Sequence, residues 1–413
     1  MEAMRSLEKG SRREIGFYSQ NLFLLLVLGL LWGVFHLLTL GQPGKFLSPQ
    51  NLWNLSVQTA VVAILVGGMV LVIVARQIDL SVGSLLGFTG MAMALLQAVP
   101  PIGEGWPWPL ALLVGLALGA GAGLLQGYLI AYLGAPSFIV TMAGLLVFRN
   151  AAYLIAQGKT IGPLQDGFLV LGGGLQGSIG PFWSWVVTLL ALGYTLGVVW
   201  RGRWLRQKHG LSVRPLWMDG LLSLFLVSVF GGFLWVMNSF PHPTTGQGRG
   251  IPVPVLVALG VLVFLHWLSQ RTRFGRYVYA IGGNPEAALL AGIPVRRVQV
   301  LVFGLMGLLA ALAGAVQAAR LAFVPTGMGT LLELYVIAAA VVGGTSLAGG
   351  SGTILGAALG ALIMSSLQNG LVLMGVPSAA RSRFMLLNLR AKGVGQTSAS
   401  MTAAQGLTDH LLR

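Results

Sequence analysis

Residues 271–297 read RTRFGRYVYAIGGNPEAALLAGIPVRR, a polar stretch between two apolar runs long enough to cross a membrane. Asn284 suits the cap before a helix, Pro285 its first position, and Gly292 the position after its end. The pattern predicts a helix of about two turns at residues 285–291. A helix this short is only marginally stable alone in water. A sequence that specifies both of its ends therefore favours presentation of the helix to a groove on a partner protein.

The remainder of the chain has the composition of a membrane protein. Hydrophobic residues make up 55% and charged residues 8% of the sequence, and the mean hydropathy is +0.82; these values exclude an ordinary soluble domain. We predict an all-α, polytopic transmembrane helix bundle with about eleven spans. The spans lie near residues 21–40, 56–75, 81–99, 109–133, 137–157, 183–200, 218–237, 254–270, 298–319, 333–348 and 353–375. The segment 333–348 is short and ends in glycine, so a re-entrant path is the alternative for it.

Basic residues indicate the orientation. With the N-terminus inside and the spans alternating, only Lys45, Lys159, Arg249 and Arg320 lie outside through residue 378. The positive-inside rule therefore predicts a cytoplasmic segment at residues 1–20, without a cleaved signal peptide. Because the other basic residues lie at helix ends and not on a soluble face, the net charge of +15 does not indicate nucleic-acid binding.

Catalytic, cofactor and metal sites are not predicted. The chain has no cysteine, and its five histidines lie on separate segments without the spacing of metal ligands. The stretch Gly158-Lys159-Thr160 resembles the end of a phosphate-binding loop, but Tyr153 stands where that motif requires glycine. An intramembrane enzyme would also need a nucleophile or base constellation, which the sequence does not contain.

Polar side chains inside the spans are candidates for a solute pathway. Amides can line a path for a neutral polyhydroxylated solute, and they can equally form hydrogen bonds between helices. The amide candidates are Gln126, Asn150, Gln317, Gln368 and Asn369.

Two interruptions between spans are candidate gates. Residues 76–84 contain Asp79 and Ser81, and residues 343–352 are rich in glycine. Irregular backbone is tolerated in membranes where protein or a water-lined cavity satisfies it, although each segment can also be a tight cytoplasmic turn. An ion-coupled carrier would need an acid in the middle of a span, whereas the acids found at Asp79, Asp219 and Glu333 are predicted at span ends.

Four separated stretches carry a resemblance to a known family. They are IDLSVGS at 78–84, GAPSFIVTMAGLLVFRN at 134–150, FGRYVYAIGGNPEAALLAGI at 274–293 and AAAVVGGTSLAGGSGTILGA at 338–357. The chain resembles the permease subunits of bacterial ABC-type sugar importers of the ribose, galactose and xylose class. The added basic loop and apolar span at 201–237 look most like the xylose-type members.

The resemblance implies partners and a role for the short helix. It implies a multi-pass homodimer in the bacterial inner membrane, bound to cytoplasmic ATPase subunits and supplied by an extracytoplasmic sugar-binding protein. It also implies that residues 285–291 are the coupling helix that sits in a groove of the ATPase, with the permease forming the path for a xylose-like or ribose-like sugar and no chemistry of its own. The implied coupling residues are Gly282, Asn284, Pro285, Glu286, Ala287, Ala288 and Gly292. A branched-chain amino acid permease remains the near alternative, and an ion-coupled secondary transporter the more distant one.

The resemblance also divides the chain. We expect a transmembrane permease domain at 21–378, with cytoplasmic loops at 201–217 and 271–297. After residue 378 the family continues into a further apolar span, whereas residues 379–413 are basic and rich in Ser and Ala. This tail is interpreted as an out-of-frame ending, and the alternative is a genuine interfacial or disordered tail.

Overall fold

The computed structural model describes residues 21–41, 44–174, 177–210, 213 and 215–376. The described part is helical, with a short 3-10 turn at Val170–Gly172. In chain order the helices are α1 (Asn21–Leu38), α2 (Pro49–Val74), α3 (Val82–Gln97), α4 (Trp108–Ala131), α5 (Ser137–Ile155), α6 (Asp166–Leu169), α7 (Gly180–Lys208), α8 (Leu216–Ser239), α9 (Val253–Arg271), α10 (Arg273–Gly283), α11 (Pro285–Leu290), α12 (Val295–Leu321), α13 (Leu332–Val342) and α14 (Ile354–Leu373).

The prediction of a polytopic helix bundle is confirmed. Within the described ranges, nine helices are long and apolar enough to cross a membrane, and α3 and α13 are shorter apolar helices. Each predicted apolar segment is one of these helices. The 11 residues of α13 extend about 16 Å, roughly half the hydrocarbon thickness, so this helix does not span a membrane by itself.

Helix boundaries differ from the sequence-based expectation in two places. Helix α2 begins at Pro49 and not near residue 56, because the Ser48 side chain accepts a hydrogen bond from the Asn51 N–H and caps the helix. Helix α7 continues to Lys208, through the first part of the predicted loop at 201–217. Arg and Lys are good helix formers, so a basic segment after a span can extend the helix beyond the membrane boundary.

Helix α2 forms the centre of the bundle. In its most apolar window 89% of the residues are buried, compared with 67% in α12 and α14 and 11% in α7 and α8. The segment Ala60–Ala75 is apolar on every side of the helix and buried throughout, as expected of a helix surrounded by other helices. Movement of α2 therefore requires its neighbours to move as well.

Glycines allow α4 and α12 to pack backbone against backbone. A Cβ atom added at Gly119 would lie 2.5 Å from the Gly307 carbonyl oxygen and 2.6 Å from Ala311 Cβ. A Cβ atom added at Gly123 would likewise meet the Phe303 carbonyl oxygen. Such close approach is available only to small residues.

We expect Gly119→Leu to lower the thermal unfolding midpoint of the detergent-solubilised protein, because the leucine must push α12 away, at a cost of about 1–3 kcal/mol or more. Gly121 has nothing within 4 Å of its added Cβ and lies two residues away on the same helix. Gly121→Leu is therefore the matched control and should unfold like the unsubstituted chain. Equal unfolding midpoints for the two variants would contradict this packing.

Candidate functional site

The start of α11 has the cap that its sequence predicts. The Asn284 side-chain oxygen accepts a hydrogen bond from the Ala287 N–H at 3.0 Å, and Pro285 occupies the first turn. Glu286 is exposed in that turn, where a carboxylate complements the positive end of the helix.

The end of α11 is equally well defined. Gly292 has a φ of +78°, which favours glycine. Its N–H donates to the Leu289 carbonyl and the Ile293 N–H donates to the Ala288 carbonyl, both at 3.0 Å. These two bonds form a Schellman motif, which satisfies carbonyls that the helix end would otherwise leave unpaired.

The exposed face of α11 differs from the predicted one. Leu290 is 90% exposed and Leu289 is 65% exposed, whereas Ala288 is only 4% exposed. The expectation that Ala288 faces a partner is therefore wrong, because helical periodicity turns it towards the bundle while Glu286 and Ala287 remain exposed. The two leucines were missed, although two large apolar residues just before a helix-ending glycine were visible in the sequence.

Helix α10 attaches α11 to the end of α2. A Cβ at Gly282 would overlap the Val74 carbonyl oxygen, which also accepts the Gly350 N–H at 2.9 Å. Arg76 donates from Nε to the Gly282 carbonyl at 2.7 Å and from Nη2 to the Gly283 carbonyl at 2.9 Å. We call these five residues the α2–α10 junction.

The glycine-rich turn at 343–352 belongs to the same assembly. The Tyr279 hydroxyl donates to the Gly352 carbonyl at 2.7 Å. Burial raises the pKa of Tyr279 above its usual value, so the hydroxyl keeps its proton and remains a donor. The contacts of Arg76 and Tyr279 were not predicted, because they join segments that are distant in the sequence. Helix α10 was missed although its apolar residues recur at helical spacing.

Three of the proposed pathway residues form one buried cluster. The Asp79 Oδ1 atom accepts hydrogen bonds from the Ser81 N–H at 2.8 Å and the Ser81 hydroxyl at 2.7 Å. The Gln126 Nε2 atom donates to the Ser81 hydroxyl oxygen at 3.0 Å. The internal bonds of Asp79 are those of a tight turn, which favours the turn interpretation of residues 76–84, while Gln126 ties this turn to α4.

Two other proposed pathway residues, Gln317 and Gln368, line a shared cavity of about 280 Å³ between α2, α12 and α14. Its remaining polar lining residues, which sequence reasoning did not select, are Gln58, Arg320, Thr330 and Ser365. We call this space the glutamine cavity.

Asn150 and Asn369 lie outside both groups. Asn369 is buried, and its side-chain oxygen accepts a hydrogen bond from Asn51 Nδ2 at 2.9 Å, which links α14 to the start of α2. Asn150 is on an exposed face of α5. The structure therefore divides the proposed pathway residues between two interior groups, one helix contact and one outer surface.

Glu333 is more enclosed than its predicted place at a span end suggested. It lies in the first turn of α13 and is 4% exposed. Its Oε2 atom has no hydrogen-bond partner among the described residues. The burial comes from α3, since a Cβ added at Gly83 would meet this carboxylate, and such packing between distant segments leaves no local sequence signal.

Metal binding finds no support in the described part of the chain, where no group of three or more His, Cys, Asp or Glu side chains could hold an ion. The candidate site consists instead of a presented helix, its junction and polar interior groups. These features suit mechanical coupling and solute passage.

Comparisons with known proteins agree with that description. A family model described as the branched-chain amino acid transport system / permease component matches residues 51–389. The xylose transport system permease protein of Escherichia coli (strain K12) is 39% identical over 364 residues, which cover 88% of each chain. The corresponding xylose permease of Haemophilus influenzae is 39% identical over 81% of this chain and 85% of its own.

The ribose import permease protein of Escherichia coli (strain K12) is 34% identical over 81% of each chain. No solved structure matches. The family match ends inside the predicted tail at 379–413, which lies outside the described residues. The long coverage by the family model and by these relatives shows that the chain belongs to the family of bacterial transport-system permease components, where it is similar to the xylose-type sugar permeases.

Proposed function

We propose that this chain is the permease subunit of an ATP-binding cassette importer and forms the membrane pathway for a monosaccharide of the xylose or ribose type. The observation that carries the proposal is the 39% identity to a xylose transport permease over 88% of the chain. The exposed, doubly capped helix α11 adds a feature that a carrier working alone does not need.

In this proposal α11 is the coupling helix and the permease domain covers residues 21–378. Leu289 and Leu290 supply apolar contact to a groove on the ATPase, with Glu286 and Ala287 beside them. The N-terminus and the polar loops then face the cytoplasm, two copies of the chain form the pathway, and a sugar-binding protein delivers solute from the other side. ATP hydrolysis takes place in the partner subunit.

The α2–α10 junction gives a physical route for coupling. Closure of the ATPase pair moves α11, and the hydrogen bonds of Arg76 transmit that movement to the end of α2. Because α2 is packed on all sides, it cannot shift alone, and the bundle changes between two packed arrangements. Binding of nucleotide to the partner biases the populations of these arrangements.

A branched-chain amino acid is the second candidate solute, because the family description names that class. The relatives with 33–39% identity are named for xylose and ribose, and this favours a sugar. The buried Glu333 is the feature that an ion-coupled carrier could use.

Reconstituted uptake distinguishes these candidates. Proteoliposomes that contain this chain, with a candidate ABC ATPase and a candidate sugar-binding protein, are expected to accumulate labelled xylose or ribose only when ATP is supplied, and not to accumulate leucine. ATP-dependent uptake of leucine would overturn the sugar assignment. Sugar uptake by this chain alone under a proton gradient would overturn the proposal that it is a subunit of an ATP-driven importer.

A further inference from the structure

We propose that the glutamine cavity is a binding site for a neutral monosaccharide inside the permease. The proposal rests on the proposed function for the class of solute, and it adds the residues that contact this solute. The polar residues that line the glutamine cavity are Gln58, Gln317, Arg320, Thr330, Ser365 and Gln368.

Three packed helices aim these side chains at one space. Gln317 and Arg320 are three residues apart on α12, and Ser365 and Gln368 are three apart on α14, so each pair shares a helix face. Gln58 of α2 lines the same cavity from a third side. Polar groups on three helices around one space are arranged to meet a ligand and not simply to join two helices.

Ser365 provides an independent indication of a ligand. It is 3% exposed, and its hydroxyl has no hydrogen-bond partner among the described residues. A buried hydroxyl without a partner is unfavourable. Ser365 lines the cavity, so rotation of its side chain about the Cα–Cβ bond would bring the hydroxyl within reach of a sugar hydroxyl and remove that cost.

Charge in the cavity disfavours a cationic ligand and accepts a neutral one. Arg320 is the charged lining residue and no carboxylate lines the space; Arg320 also forms no salt bridge within the described ranges. Its guanidinium and the three amides can donate several hydrogen bonds to hydroxyl and ring oxygens. Because the carboxylate of a free amino acid can pair with Arg320, the choice of a sugar over an amino acid rests on the proposed function and not on this charge.

Size and shape agree with a single sugar unit. The volume of about 280 Å³ is near the lower limit of about 300 Å³ for small-molecule pockets. Val61, Val62 and Leu332 contribute apolar surface beside the polar groups. A pyranose or furanose ring presents both kinds of surface, hydroxyls at its edge and C–H groups on its faces.

A single thiol tests this site directly. The chain has no cysteine, so Ser365→Cys introduces one reactive group of nearly the same size. We expect D-xylose to slow its modification by a small methanethiosulfonate reagent. With a Kd of about 10 mM, sugar at about 100 mM leaves roughly one tenth of the sites free and slows the reaction about tenfold. Thr244→Cys, in an exposed loop, is the control and should react at the same rate with and without sugar.

Absence of protection by both xylose and ribose at about 100 mM would overturn the site, because a Kd of about 10 mM or tighter leaves roughly one tenth of the sites free, or fewer, at that concentration. If the assembled system still takes up sugar, the proposed function stands while this inference fails. Protection by leucine and not by sugar, together with leucine uptake, would overturn both.

A second variant keeps the inference testable if Ser365→Cys does not fold. Gln317→Ala and Gln368→Ala are each expected to lower the sugar uptake rate of the assembled importer about 2-fold to 10-fold, the effect of one lost hydrogen bond. Gln207→Ala removes the same group from the exposed end of α7 and should leave uptake unchanged. Uptake rates for all three variants equal to that of the unsubstituted chain would contradict the site.

Discussion

Gly282→Ala is expected to abolish ATP-driven uptake, whereas Gly283→Ala leaves uptake close to that of the unsubstituted chain. The added methyl at Gly282 would overlap the Val74 carbonyl and approach the Gly350 amide nitrogen at 2.5 Å. Both are backbone atoms and cannot rotate away, so α10 must separate from α2. The overlap costs about 1–3 kcal/mol or more, and it breaks the hydrogen bonds through which Arg76 joins the two helices.

Gly283 is a closely matched control. It is the next residue of α10 and has nothing within 4 Å of its added Cβ, so alanine fits there and removes no contact. Both variants should be compared for uptake in proteoliposomes and for unfolding in detergent. If Gly282→Ala transports at the rate of Gly283→Ala, the junction does not transmit movement to α2.

Leu290→Lys is expected to remove the association with the ATPase while the permease itself remains folded. Leu290 is 90% exposed, so the bundle loses almost no packing. In the proposed groove the leucine is buried, and its transfer from water contributes about 1.5–3 kcal/mol. Loss of that contribution and burial of a charge would weaken binding by roughly 10-fold to 100-fold or more.

Co-purification with the ATPase measures this effect, and Leu133→Lys is the control. Leu133 follows α4 and is 65% exposed, so the control makes the same chemical change at another exposed leucine. Leu290 is a cleaner test than Glu286, because reversing the charge of Glu286 also weakens the start of the helix itself. Undiminished recovery of the ATPase with Leu290→Lys would place the docking surface elsewhere.

Local chemistry explains why several features were predictable. The apolar segments are helices because backbone groups in a membrane must be satisfied within the helix. The ends of α11 were also predictable, since Asn284, Pro285 and Gly292 act through neighbours within a few residues. The turn at Asp79 and Ser81 is of the same kind.

Contacts between distant segments were not predictable in this way. The contacts of α10 with Arg76 and with the turn at 343–352 form only after folding, whereas the helix itself was missed although Phe274, Val278 and Ile281 recur at helical spacing. The amides looked alike in the sequence, yet Asn369 ties two helices together while Gln317 lines a cavity. The burial of Glu333 and Ala288 likewise depends on which helix lies opposite.

The sequence by itself determined the membrane-embedded helical class, the positions of the apolar helices and both ends of α11, because hydrophobic length and capping act over a few neighbouring residues. Only the tertiary structure decided which face of α11 is exposed, how Arg76 and Gly282 join it to α2, and which polar residues share the glutamine cavity. These features depend on how separate helices approach one another, in the case of Arg76 and Gly282 across 206 positions, and local sequence does not encode that approach.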